Sequence, residues 1–141
     1  MSTTKQQPVL EIQGLSICLP KGADRPLAVE GATLSVMPGQ TLCVVGESGS
    51  GKSMIANSVM GLLPQPHVRP VAGKILFEGV DLLTLTEPQM RELRGRRIGM
   101  VFQEPMTALN PVFTIERQLT DGLMLHEGLS QAAATARALK L

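Results

Sequence analysis

The 141-residue sequence predicts an α/β fold, in which short strands alternate with helical segments. Residues 8–19 alternate apolar and polar side chains, which is typical of a strand with one buried face. Residues 41–45 form a continuous apolar run, as buried parallel strands do. That run leads directly into GESGSGKS at residues 46–53 and then into a segment with helical spacing. Apolar residues make up 43% of the chain, which is enough to build a hydrophobic core.

The other elements are predicted from turn signals, apolar spacing and helix-capping residues. Turns are predicted at residues 20–26 and 37–40, between the strands, because both stretches contain Pro and Gly. The further predicted strands cover residues 27–36, 73–80 and 97–102. Helices are predicted where apolar spacing follows a start signal, such as Thr86 with Pro88 in the first turn, or Ser130. They cover residues 53–63, 86–94, 114–126 and 130 onward, and the chain stops inside the last one.

Composition and charge exclude several classes of protein. The formal net charge is +1, and the three phenylalanines come with no Tyr or Trp, so neither charge nor ring stacking favours nucleic-acid binding. The polar N-terminus does not resemble a signal peptide, and no apolar run approaches the roughly 18 residues that span a bilayer. We therefore expect a soluble cytosolic chain. Cys18 and Cys43 are expected to be buried reduced thiols, with a disulfide as the alternative.

The stretch GESGSGKS has the residue types and the position of a phosphate-binding loop. Gly49 and Gly51 allow positive φ, so that successive backbone N–H groups can converge on phosphate oxygens. The helix that follows adds its free N–H groups and its positive dipole end. Lys52 offers a charge for the β- and γ-phosphates, and Ser53 a hydroxyl for Mg²⁺. The predicted nucleotide-binding residues are Gly46, Glu47, Ser48, Gly49, Ser50, Gly51, Lys52 and Ser53.

The loop alone does not name the reaction, because several enzyme classes share it. A GTPase would be expected to carry an Asn-Lys-x-Asp element, which does not occur in this sequence. A small-molecule kinase needs an arginine-bearing lid, and the arginines between residues 91 and 97 could imitate one. A run of arginines at the end of a helix is more often a solvated face than a lid. Both histidines, His67 and His126, are expected to be ordinary surface residues.

Three longer stretches carry a resemblance to a known family: VVGESGSGKS, GKILFEGVDL and RIGMVFQEPMTALNPVFTI. Together they closely resemble the ATPases of ABC transporters, and among them the subfamily that serves oligopeptide, dipeptide and nickel importers. The resemblance covers residues 8–141 and implies binding of ATP with Mg²⁺. It identifies Gln103 as the glutamine of the Q-loop, which approaches Mg²⁺ and the attacking water and whose loop contacts the membrane-spanning partner. The implied catalytic residues are Lys52 and Gln103, and the implied metal ligands are Ser53 and Gln103.

The same resemblance implies the domain organisation. Residues 8–102 correspond to an antiparallel β-subdomain and the core of a P-loop NTPase, and residues 103–141 to the Q-loop and the start of a helical subdomain. Residues 73–83 belong to the β-subdomain, so that Glu78 is expected to be a surface turn residue and not a catalytic carboxylate. Many family members stack adenine on an aromatic ring. This sequence offers Leu19 near that place, with Val29 as the alternative, and aliphatic packing would not provide the ring-stacking energy.

The resemblance also implies partners and a location. These are membrane-spanning permease subunits, a second ATP-binding subunit, a solute-binding protein reached indirectly, and the cytoplasmic face of the inner membrane. Hydrolysis in the family further needs an aspartate–glutamate pair, a histidine beyond it and a Leu-Ser-Gly-Gly-type signature, and none of these occurs in the 141 residues. We therefore expect an N-terminal portion that is inactive by itself. The alternative is a truncated, non-catalytic nucleotide-binding product.

Overall fold

The computed structural model describes residues 7–104 and 109–140. Residues 105–108, which belong to the predicted Q-loop, lie outside the described residues. The chain divides into two compact units, residues 1–90 and residues 91–141, and each is described by itself. The boundary of 102/103 that the resemblance implies between subdomains stays a prediction.

The first unit is built on a four-stranded antiparallel sheet with the order β2-β1-β3-β4. The strands are β1 (Leu10–Cys18), β2 (Leu27–Val36), β3 (Arg69–Phe77) and β4 (Val80–Asp81). Helix α1 (Lys52–Val59) lies between β2 and β3 in the sequence, and a short 3-10 helix (Leu82–Thr84) follows β4. The sequence prediction of an antiparallel β-subdomain that includes residues 73–83 is confirmed.

The core of this unit lies on one face of β1, one of the two inner strands of the sheet. Ile12, Leu15 and Ile17 are fully buried, and Ile75 of β3 is buried with them. The spacing from Ile12 to Leu15 breaks the strict alternation of a strand, because the pairing register shifts at this point. The shift occurs in the pair with β2 and also in the pair with β3. With strict alternation, Ile12 and Leu15 would point to opposite faces of the sheet. The irregularity places Ile12, Leu15 and Ile17 on the same, buried face.

The second unit contains helices α3 (Ile115–Glu127) and α4 (Gln131–Ala138), with α2 (Glu87–Leu93) at the boundary of the two units. Ser130 caps α4, as predicted, by accepting a hydrogen bond from Ala133 N. Thr114 caps α3 in the same way, by accepting a hydrogen bond from Arg117 N. Thr86 directly precedes α2, and its N–H donates to Gln89 Oε1 at 2.8 Å. The last helix ends at Ala138, so the prediction that the chain stops inside it was wrong.

Two predicted strands do not form in the described structure. Residues 41–45 and 97–102 carry the apolar runs of buried strands, yet neither run belongs to a sheet, and Val45 and Val101 are 87% and 98% exposed. A strand needs a neighbour that accepts and donates its backbone hydrogen bonds, and within residues 7–104 and 109–140 neither run has one beyond a single bridge from Arg94 to Ile98. Apolar composition alone cannot supply that neighbour.

The failure of the first of these strands also corrects the cysteine prediction. Cys43 lies in residues 41–45 and is exposed, not buried, because no sheet covers this run. Cys18, at the end of β1, is half-buried, and its thiol lies 3.8 Å from the carbonyl oxygen of His67. Both thiols are free in the part of the chain that the structure describes, as expected.

The histidines and Glu78 occupy different environments. Glu78 is an exposed turn residue between β3 and β4 with φ 48°, which confirms its assignment as a surface turn. His67 is exposed, as predicted. His126 is half-buried in α3 and packs over Gly95, so that a Cβ at Gly95 would lie 2.6 Å from His126 Nε2. Describing His126 as an ordinary surface residue was therefore incomplete.

Candidate phosphate-binding site

The glycine-rich loop of residues 46–53 connects the exposed apolar run to helix α1. Gly49 and Gly51 have φ values of 78° and 94°, in the left-handed region that the sequence analysis expected of them. Gly51 occupies the N-cap position, and its carbonyl oxygen accepts from Ile55 N at 3.0 Å, which closes the first turn of α1. The first N–H groups of a helix have no partner within it, so α1 begins with donors at the end of the loop.

The position of Gly51 is also fixed by packing against β2. A Cβ built on Gly51 would lie 2.7 Å from the carbonyl oxygen of Ala28 and 2.8 Å from Val29 Cγ2. Ala28 and Val29 are themselves buried, so neither can easily move aside. The loop therefore lies directly on the sheet at this residue, and the absence of a side chain at Gly51 is what permits the approach.

Lys52 reaches back over the loop. Its Nζ donates to the carbonyl oxygens of Gly46 and Glu47, each at 2.7 Å, and lies 3.1 Å from Ser50 Oγ. Ser50 N in turn donates to the Glu47 carbonyl at 3.2 Å, which makes a turn within the loop. The ammonium charge is thus held at the loop itself by three oxygen partners. This is the point at which an anion bound by the backbone N–H groups would need a counter-charge.

The loop forms one side of a cleft with a volume of about 260 Å³. Leu19, the residue after β1, and Lys52 both line this cleft, so the structure brings together the predicted base platform and the predicted phosphate ligand. Val29, the alternative base platform, packs against Gly51 and lines an adjoining space with Ser50 and Ile55. Leu19 is half-exposed whereas Val29 is buried, so Leu19 is the better placed of the two to receive a ligand. The complete lining is Leu19, Arg25, Ala28, Gly49, Ser50, Gly51, Lys52, Ser53 and Met54.

The remaining predicted site residues are exposed. Ser53 lies in the first turn of α1 with an exposed side chain, and Ser48 is exposed at the tip of the loop. Gln103 is also exposed and belongs to the second unit. No group of three or more His, Cys, Asp or Glu that could hold a metal occurs among the described residues. A nucleotide-bound Mg²⁺ commonly takes one or two protein ligands together with phosphate oxygens, so an exposed Ser53 hydroxyl fits that ion.

Sequence reasoning missed Arg25. It lies in the turn between β1 and β2, and its guanidinium Nη2 donates to the carbonyl oxygen of Gly49. Arg25 also lines the same cleft as Leu19 and Lys52. The composition of residues 20–26 indicated a turn and nothing more, because the contact joins residues 24 positions apart.

A glycine-rich loop that leads into the first turn of a helix, and whose lysine bonds the loop carbonyls, is the arrangement of a phosphate-binding P-loop. The chain belongs to the ABC transporter family, whose model matches residues 29–141. It is 48% identical over its full length to the peptidoglycan transport ATP-binding protein YejF of Agrobacterium fabrum, of which it covers 26%. It is 43% identical to the oligopeptide transport ATP-binding protein OppD of Bacillus subtilis, with 94% of this chain and 37% of that protein covered.

The fold is also that of a solved ABC cassette. The dimeric, post-hydrolysis structure of the ATP-binding cassette MJ0796 with ADP and Pi matches with a TM-score of 0.78 at 22% identity. That match covers 93% of this chain and 54% of the cassette, and it bears on the fold alone. The chain spans between about a quarter and two-fifths of the length of the curated relatives that it matches. Its described residues contain no helix long and apolar enough to cross a bilayer.

Proposed function

We propose that this chain is the N-terminal part of an ATP-binding subunit, which energises an ABC importer for peptides, nickel or related small solutes. The proposal is carried by the loop of residues 46–53, which holds Lys52 Nζ over its carbonyl groups and continues into helix α1. The names of the relatives support the solute class, since those at 41–48% identity include oligopeptide, dipeptide and peptidoglycan transport ATP-binding proteins.

Each loop residue has a distinct task in this proposal. The backbone N–H groups of the loop and of the first turn of α1 bind the phosphates, and Lys52 turns from the carbonyls of Gly46 and Glu47 toward the β- and γ-phosphates. The resemblance to ABC transporter ATPases implies that Ser53 and Gln103 would hold Mg²⁺, which would neutralise charge on the phosphates. Leu19 covers one face of the adenine by apolar burial.

The subunit works in an assembly in this proposal. Two ATP-binding subunits close on ATP and reopen after hydrolysis, and the loop at Gln103 transmits the motion to permease subunits at the cytoplasmic face of the membrane. A solute-binding protein supplies the solute to the permease and reaches this subunit only indirectly. The resemblance to peptide and nickel importers supports this arrangement.

Replacement of Lys52 tests the proposal. In the protein purified at the length its native cell makes, we expect Mg²⁺-dependent ATP binding, which Lys52→Ala weakens by about tenfold or more because a charge-assisted contact to phosphate is lost. Lys52→Ala should also abolish ATP hydrolysis. Lys74→Ala is the matched control, since Lys74 is an exposed lysine of β3 and does not line the cleft.

The possible results separate the candidate functions. Equal ATP affinity in the wild type and in Lys52→Ala would contradict the proposal. Lys52-dependent binding without hydrolysis, at native length, would favour the non-catalytic alternative. Uptake of labelled dipeptides, longer peptides and nickel by cells that carry wild type or Lys52→Ala then identifies the solute class.

A further inference from the structure

Arg25 is placed between the end of β1 and the middle of the glycine-rich loop. Leu19 N donates to the Pro26 carbonyl at 2.9 Å, and this bond closes the turn of residues 20–25 at the end of the β1–β2 pair. Arg25 directly precedes the closing residue, so its backbone is held beside Leu19. Its guanidinium extends to the carbonyl oxygen of Gly49 and donates to it. The Arg25 side chain therefore links the turn at the end of the β1–β2 pair to the glycine-rich loop.

Arg25 and Lys52 place two positive charges at different points of one cleft. Lys52 Nζ is bonded to the carbonyls of Gly46 and Glu47 at the start of the loop, whereas Arg25 is bonded at Gly49. In the part of the chain that the structure describes, no carboxylate lines this cleft. The cleft is therefore suited to a ligand whose negative charge extends over more than one group.

We propose that Arg25 is a nucleotide-binding residue that contacts the α-phosphate, the phosphate next to the sugar. A guanidinium carries five N–H groups in a planar fork, and the bond to Gly49 uses one of them, so others can donate to a phosphate oxygen. Arg25 lies beside Leu19, where the base packs, while Lys52 serves the phosphates farther along the chain. This inference rests on the proposed function, since it needs a nucleotide in the cleft.

The affinity of three nucleotides tests this placement. For Arg25→Gln, at native length, we expect the dissociation constants of ATP, ADP and AMP all to rise by about the same factor, on the order of tenfold, because all three carry the α-phosphate. Arg25→Lys keeps the charge and loses the fork, and should give a smaller rise. Lys21→Gln is the matched control, because it removes one positive charge from the same turn and does not line the cleft.

Three outcomes would overturn the inference. The first is an Arg25→Gln affinity equal to that of Lys21→Gln. The second is a loss that grows from AMP to ATP, which would mean that Arg25 acts through the loop and the outer phosphates. The third is a wild-type protein that binds none of the nucleotides, and this outcome overturns the proposed function as well. When Lys52→Ala weakens binding and Arg25→Gln does not, only the inference about Arg25 fails.

Discussion

Gly49 and Gly51 both hold a left-handed backbone, but a side chain at the two positions would meet different surroundings. A Cβ at Gly49 would have no heavy atom within 4 Å, whereas at Gly51 it would overlap the Ala28 carbonyl. Alanine at either position is strained by roughly 1–2 kcal/mol, because of the positive φ. Gly51→Ala adds a clash with buried backbone, which typically costs a further ~1–3 kcal/mol.

We therefore predict that Gly51→Ala lowers the free energy of unfolding by about 3 kcal/mol and Gly49→Ala by about half of that. Urea unfolding followed by circular dichroism measures both values, and an unchanged slope of the transition shows that they are comparable. Equal losses for the two variants would mean that backbone strain explains both, and that the contact between the loop and β2 does not contribute to the free energy of unfolding.

The sequence predicted the local properties of these residues and missed their distant contacts. Positive φ at Gly49 and Gly51 follows from the loop pattern itself. The approach of Gly51 to Ala28, and the bond from Arg25 to Gly49, depend on how β2 and the preceding turn lie against the loop. No pattern within a short window contains that information, so a cleft residue such as Arg25 could be found only from the fold.

Among the secondary-structure elements, those defined by local signals were predicted best. The strand at 27–36 has the bounds that its apolar residues and flanking turns indicated, and Ser130 caps α4 as its residue type suggested. Helix α1 ends at Val59 instead of residue 63, because Gly61 takes a positive φ ahead of Pro64. The runs at 41–45 and 97–102 failed as strands, since a strand depends on a partner that its own residues do not encode.

Helix α3 holds the segment before it, residues 109–114, through the side chains of Gln118 and Arg117. Gln118 Oε1 accepts from Asn110 N at 2.7 Å, and its Nε2 donates to the carbonyls of Asn110 and Phe113, each at 2.9 Å. Arg117 lies 4.2 Å above the Phe113 ring and adds a cation–π contact to the same segment. The segment follows residues 103–108 in the sequence. These contacts of Gln118 and Arg117, called the clamp below, therefore hold the residues at the downstream end of the predicted Q-loop.

We predict that Gln118→Ala speeds hydrogen exchange of the Asn110 amide by about tenfold, because that amide loses its acceptor. The free energy of unfolding should fall by only about 1 kcal/mol, since the clamp is on the surface. Amide exchange measured by NMR resolves the effect at single residues.

The matched control for Gln118 is Gln131→Ala. Gln131 Nε2 donates to Thr120 and Thr135 within the α3–α4 pair and has no bond to the segment. Its replacement should leave the Asn110 amide unchanged. Equal exchange rates in wild type and Gln118→Ala would mean that Gln118 does not hold the segment of residues 109–114.

At the scale of the whole molecule, each unit exposes an apolar run that has the composition of a buried strand. In the first unit Val44 and Val45 are exposed, and in the second Val101 and Phe102 are exposed. Burial of one valine side chain contributes about 1.5–3 kcal/mol, and such runs also offer unpaired backbone groups to another chain. Association through these runs would both bury the valines and pair the backbone.

We predict that the 141-residue chain, produced by itself, self-associates with increasing concentration, and that the double variant Val45→Thr/Val101→Thr associates less. Threonine has nearly the shape of valine and keeps its preference for extended backbone, so the change tests apolar character alone. Sedimentation velocity measures the distribution of species. Leu125→Gln is the control, because Leu125 is 76% exposed but lies on helix α3. An equal reduction by Leu125→Gln would assign the association to general surface hydrophobicity, and a chain that stays monomeric would contradict the prediction.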